Sequence, residues 1–197
     1  MKKGLIIAAV IVGFFVLVIL WGAGKYNSLV QLDEGVNGAW AQVENQYQRR
    51  MDLVPNLVAT VQGVANFEKS TLQAVIEARA KATQVTVSPE LLNDPQAFQR
   101  FEQSQGQLGS ALSRLLVTVE QYPNLKANEN FLQLQSQLEG TENRISVERK
   151  RFNEIVQGYN ATIRTIPTSL IASFTGFQQK QYFQALPGAE AAPKVQF

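Results

Sequence analysis

From Gly4 to Gly24 the chain runs GLIIAAVIVGFFVLVILWGAG without one charged residue. As a helix, a stretch of this length reaches about 30 Å, enough to cross the hydrocarbon core of a bilayer. Lys2 and Lys3 precede it, and Trp21, Lys25 and Tyr26 stand at its far end, where interfacial anchors belong. The competing reading is a cleaved signal peptide, for which Gly22-Ala23-Gly24 offers small residues. The apolar run is longer than the roughly 7–15 residues of a signal h-region, so a retained anchor over residues 1–24 is the expectation. Two Lys before the span against one just after it favour an amino terminus in the cytoplasm and the remaining chain on the other side. Ala9 and Gly13 form a small-xxx-small pair, a spacing common by chance in apolar helices.

Charge and composition narrow the function classes. The net charge of +2 comes from 18 Lys+Arg against 16 Asp+Glu in 197 residues. Three of the basic residues flank the apolar run and every acidic residue lies beyond it, so the rest of the chain is close to neutral. It lacks the basic footprint of a nucleic-acid binder. There is no Cys and no His. That removes thiolate nucleophiles, the Ser-His-Asp triad, imidazole metal ligands and the Glu-x-x-His di-iron site of helical bundles. No cofactor or metal is expected.

Beyond residue 25 apolar residues recur at intervals of three, four and seven. Val36, Val43, Leu57 and Val64 form one row, and Trp40, Tyr47, Val54 and Val61 a second. Together they predict an amphipathic helix with a bundle-type seam. Pro55 should kink it, since proline lacks an N–H and crowds the preceding turn. A second helix is expected over about residues 66–85, with Leu72, Val75 and Ile76 inward. Asn93-Asp94-Pro95 reads as a cap followed by proline at the first helical position. A third helix then carries Phe98, Phe101, Leu108, Leu112, Leu115, Val119 and Tyr122, and Tyr122-Pro123-Asn124 ends it. The fourth shows Phe131, Leu138, Ile145, Phe152, Tyr159 and Ile166, all seven apart, and Pro167 stops it.

The expected fold is therefore all-α: a transmembrane helix (1–24), then an antiparallel four-helix bundle with long first and last helices (25–183). The segment after Pro167 returns toward the membrane. Its Phe174, Phe177, Tyr182 and Phe183, with Trp21, Lys25 and Tyr26 of the first helix, are the candidate membrane-interface residues. Packing of the same aromatics under the open end of the bundle is an equal alternative. Residues 184–197, rich in Ala and Pro, are expected to be a disordered tail.

Arg50 breaks the first apolar row and Glu148 a row on the fourth helix that includes Leu134, Thr141, Ile155 and Thr162. Antiparallel neighbours could bring these two charges together as a structural ion pair, the state in which isolated buried charges are retained; a ligand or ion site is the alternative. Met51 is the alternative inward residue under a small change of helical phase. Arg149-Lys150-Arg151 points around a helix rather than along one face, and reads as solvated surface. The carboxylates Asp33/Glu34 and Glu139/Glu142 have no His or metal-type partner set and give weak support for acid–base chemistry. No catalytic residue is assigned.

The sequence resembles the LemA family of bacterial membrane proteins. The likeness rests on Tyr26-Asn27, the run Arg50-Met51-Asp52-Leu53-Val54-Pro55-Asn56-Leu57-Val58 and Ala78-Arg79. It continues in Leu138-Glu139-Gly140-Thr141-Glu142-Asn143-Arg144-Ile145, Phe152-Asn153, Tyr159-Asn160, Pro167, Gly176-Phe177 and Tyr182-Phe183. Phe152 departs from the family, which often has Tyr there. The resemblance implies one amino-terminal membrane helix and an antiparallel helical bundle at the bacterial cytoplasmic membrane, with no cofactor and no established catalytic residues. The expected function is a non-enzymatic, membrane-anchored scaffold or adaptor of the cell envelope. Its partners would be the lipid bilayer and other envelope proteins or further copies of itself. The alternatives are a membrane-shaping homo-oligomeric assembly and a carboxylate-based enzyme subunit.

Overall fold

A computed structural model describes residues 2–64, 67–85 and 88–184. Helix α1 runs unbroken from Lys2 to Gln62, about 90 Å at 1.5 Å per residue, and carries the apolar run and the first bundle helix as one rod. It is long and apolar enough to cross a membrane. Its residues from Leu5 to Trp21 are exposed in the isolated chain. There follow α2 (Lys69–Gln84), a 3-10 turn (Pro89–Asn93), α3 (Pro95–Val119), the single turn α4 (Pro123–Lys126), α5 (Glu129–Arg164) and α6 (Thr168–Thr175). Among the described residues there is no strand.

The starts of α3 and α5 follow from local chemistry. Asp94 accepts from the backbone N–H of Gln96 at 2.9 Å and Ala97 at 3.1 Å, with Pro95 at the first helical position where no N–H is needed. Asn128 caps α5 by accepting from Phe131 N at 3.1 Å. Gly176 ends α6 in the left-handed region at φ 81°, which lets Phe177 N donate back to Ala172 O at 3.1 Å.

Helices α1 and α5 are antiparallel and in a fixed register. Trp40 meets Phe152 with ring centroids 5.5 Å apart, and Arg50 meets Glu142 at 3.0 Å. Ten residues along α1 are thus matched by ten residues back along α5. The core is built in two storeys. The proximal storey, nearer the apolar run, packs Leu29, Val36, Trp40, Val43 and Tyr47 of α1 against Phe98 and Phe101 of α3, and Phe152, Val156 and Tyr159 of α5. Leu91 and Leu92 of the 3-10 turn, Ala172 of α6 and Phe183 complete it. The distal storey packs Met51, Val54, Leu57 and Val61 against α2, the far half of α3, Leu125, Phe131 and Leu138. Helix α2 therefore serves the distal storey. In the proximal one its place is taken by the 3-10 turn, α6 and the segment that follows.

Several expectations are corrected by this packing. Ile76 is exposed, because α2 turns Thr71, Leu72, Val75, Ala78 and Ala82 inward instead. Ile166 is also exposed, since α5 ends at Arg164 and Ile166 lies in the turn beyond it. Pro55, where a kink is expected, lies inside α1, and the helix continues about two further turns beyond it. Of the residues expected in a disordered tail, Gln184 is held by hydrogen bonds to Glu102 and Arg149. Residues 185–197 lie outside the described residues, as do Asn66 at the expected start of α2 and Thr86 and Val87 in the expected break after it.

Candidate functional site

Between the two storeys lies a layer of polar side chains centred on Arg50, which is 3% exposed. Its Nη1 donates to Glu142 Oε1 at 3.0 Å and Oε2 at 3.3 Å, while Nη2 donates to Gln105 O at 3.2 Å and to Gln105 Oε1. The guanidinium lies 5.0 Å from the Tyr47 ring centroid, within cation–π range. Ser104 and Thr141, the other buried polar residues of the layer, bond back to their own helices at Phe101 O and Gln137 O, each 2.8 Å. Arg50 and Met51 are both inward, so the two phases weighed from sequence coexist.

Glu148 is not the partner of Arg50. In the α1–α5 register, residue 142 stands level with residue 50, and Glu148 lies six residues further along α5, about 9 Å along its axis. Glu148 is half-buried at the flank and makes no ion pair among the described residues. Periodicity places charges on faces, but it carries no information about the offset between two helices 90 residues apart.

A second polar joint holds the segment after α6. Residues 177–184 run extended along α5, clamped by two asparagines one heptad apart. Asn160 accepts from Lys180 N and donates to Lys180 O, both 2.9 Å. Asn153 does the same with Phe183 N and O, again at 2.9 Å. Each side-chain amide thereby pairs with a backbone residue as a neighbouring strand would. The spacings match: seven helical residues rise about 10.5 Å, and three extended residues about 10 Å. Lys180, itself buried, reaches Asp33 of α1 and Asn93 Oδ1, both at 3.0 Å, and ties α1, α5 and the 3-10 turn together. Higher up, Arg149 bridges Glu102 at 3.3 Å and lies 4.4 Å from the Phe183 ring.

Burial and charge act on the groups in these joints. Burial, and then the Asp33 carboxylate beside it, push the Tyr159 hydroxyl well above the ordinary phenol value. Burial raises Tyr47 against the opposing pull of Arg149 and Arg50. It also raises Glu102, with the Gln184 N–H and Arg149 opposing. All three shifts favour the neutral form and follow chiefly from packing. Among the described residues no group of three His, Cys, Asp or Glu could hold a metal. The Arg50, Lys180 and Arg149 joints can lock helices together.

The candidate interface residues fall into two sets. Trp21, Lys25 and Tyr26 are exposed on α1 at the end of the apolar run, and Phe174 is exposed on α6. Phe177 is half-buried, its ring 6.0 Å from that of Tyr26. Phe183 is in the core, against Trp40, Phe98 and Phe152 at 5.9, 5.1 and 5.5 Å, because the Asn153 clamp turns it inward. It therefore has no surface to give a membrane. Tyr182 is exposed beside Asn153 and Gln157, about 10 Å or more along α5 from its carboxyl-terminal end. Two contributors had no distinguishing mark in the sequence, Gln105 and Lys180. The paired Phe-Asn and Tyr-Asn dipeptides seven apart were the available sign of the clamp.

The fold and its joints define a class: a helical protein with a membrane-length apolar helix continuous with its bundle, and with the buried cations Arg50 and Lys180 engaged in holding helices together. Within that class the chain belongs to the LemA family, whose sequence model matches residues 39–197. It is similar to the magnetosome protein MamQ of Magnetospirillum gryphiswaldense, 27% identical over 182 residues that cover 84% of this chain and 67% of that one. Magnetosome protein MamQ 1 of Paramagnetospirillum magneticum is 26% identical with the same coverage. Protein LemA of Metamycoplasma hominis is 26% identical over 165 residues, covering 82% of this chain and 70% of its own length. None of these names denotes an enzyme.

Proposed function

We propose that the protein is a non-enzymatic scaffold or adaptor of the bacterial cell envelope, anchored in the cytoplasmic membrane by residues 1–24 with its bundle on the extracytoplasmic side. The observation that carries this reading is the continuity of α1. Sixty-one residues pass from the apolar run into the bundle with no linker, so the bundle stands at a fixed height and angle on the anchor. A reaction site needs an accessible, reactive group. Here the buried charges Arg50 and Lys180 are enclosed in contacts that join helices, which suits a rigid presenting surface. The long outer faces of α3 and α5, rich in Gln, would meet other envelope proteins or further copies of the chain.

The test is the mass and particle shape of the full-length protein in mild detergent, beside the chain lacking residues 1–24. A large, uniform homo-oligomer supports self-assembly, and would then make membrane shaping by laterally packed copies the question to pursue. Monomers in both forms remove self-assembly and leave the adaptor reading, to be pursued by cross-linking in intact envelopes. Turnover by the purified protein, lost in Glu142→Gln without unfolding, would overturn the non-enzymatic reading altogether.

A further inference from the structure

We propose that α6 and the turn before it form a second, non-spanning contact with the bilayer that α1 crosses; this rests on the anchor reading of residues 4–24. Ile166 is 84% exposed and Phe174 90%, more than any large apolar residue of the spanning run, of which the most exposed is Leu5 at 75%. Leu170, 61% exposed, lies one helical turn from Phe174 on the same face. The opposite face of α6 is occupied: Thr168 and Ala172 are buried against the bundle. Large apolar side chains this open within one short segment mark a contact surface, whereas a lone one such as Val147 does not.

The depth of α6 identifies what covers it. The Phe177 ring touches Tyr26, and Tyr26 is two residues past Gly24, about 3 Å beyond the end of the apolar run. That level falls in the headgroup zone, which extends roughly 5–7 Å on each side of the hydrocarbon core. The charges agree. From Thr165 to Gln179 the chain has no charged residue, and on α1 only Lys25 lies between Gly24 and Asp33. Lys25 and Arg164, both exposed, are the cations at this level, placed to meet lipid phosphates. Eight residues are too few to bind a membrane alone. Here the helix is already folded and is held at the surface by the anchor, so its contact is intramolecular in effect.

Because the chain has no Cys, a single introduced thiol can carry a nitroxide label. The full-length protein would be reconstituted in phosphatidylcholine–phosphatidylglycerol vesicles with the label at Leu170→Cys or Phe174→Cys. Ile11→Cys in the span and Val147→Cys on the outer face of α5 serve as references. The expected result is that labels at 170 and 174 collide more with oxygen than with a water-soluble nickel chelate, as at 11, while 147 shows the reverse. If 174 behaves like 147 while 11 reports lipid, the anchor stands and the α6 contact is overturned. If 11 also reports water, the anchor reading fails and the contact with it. Spin–spin broadening at 174 that disappears on dilution with unlabelled protein would place a second copy on this face, and would likewise overturn the bilayer contact.

Discussion

Arg50 costs the core a desolvated guanidinium, and the layer around it answers with Glu142, Gln105 and the Tyr47 ring. The two ends of the ion pair are unequal: the Arg50 side chain is 4% exposed and that of Glu142 42%. Glu142 left alone can turn to water, whereas Arg50 left alone cannot. Glu142→Ala should therefore destabilise by about 2–4 kcal/mol, and Glu148→Ala by under about 0.5. In a double-mutant cycle read by urea unfolding, Arg50 and Glu142 should couple by about 1–2 kcal/mol and Arg50 and Glu148 not at all. Equal coupling to both would return the pairing to the one expected from periodicity. Tyr159 gives a pH signature. Its folded value lies above the ordinary 10.0, so the unfolded phenol ionises first. The associated stability is complete below pH 10 and is lost as pH rises further, by up to about 1.4 kcal/mol per pH unit. Thermal midpoints should fall above pH 10, and Tyr159→Phe should blunt that fall while leaving the pH 7 slope unchanged.

At the scale of elements, Pro55 and Arg79 explain each other. Proline at 55 cannot donate to the carbonyl four residues back, which is that of Met51. Arg79 of α2 fills the gap, with Nε donating to Met51 O at 3.2 Å. The break in the helix ladder thereby becomes a joint between helices. Arg79→Ala should cost about 1–3 kcal/mol by leaving a partly buried carbonyl unpaired. In a Pro55→Ala background, where residue 55 can donate again, most of that cost should vanish in the same unfolding measurement. The clamp on residues 177–184 is a second such joint. Asn160→Ala removes two hydrogen bonds at once, and hydrogen exchange should show the Lys180 amide losing protection while those of mid-α3 keep theirs. Asn153→Ala should do the same at Phe183. Both joints were partly legible: Pro55, Arg79, Asn153 and Asn160 all stand in the runs that carry the family likeness. Their partners were not, because Met51 O and the backbone of residues 180 and 183 have no side-chain signature.

For the whole molecule, the consequence of an unbroken α1 is that the apolar segment and the bundle move together. The side of the membrane that holds α5 is then fixed by the direction of the span alone. With Lys2 and Lys3 before it and Lys25 after, the bundle should lie outside the cytoplasm. In spheroplasts of a bacterial host, a membrane-impermeant maleimide should label Val147→Cys, at a position 63% exposed, without permeabilisation. Labelling only after lysis would reverse the orientation.

The apolar span, the helical class and most of the core are legible in the residue order, because burial on a helix repeats every three to four residues and each row is complete within one segment. Phe131, Leu138, Ile145, Phe152 and Tyr159 are all inward as spaced. Which charges meet and which aromatics stay outside depends on how distant helices pack. Arg50 finds Glu142 because of the offset between α1 and α5. Phe183 enters the core and Phe174 does not because two asparagines hold one segment while Gly176 turns the chain between them. Offsets between distant segments come from the packing of all helices at once, and no local pattern encodes them.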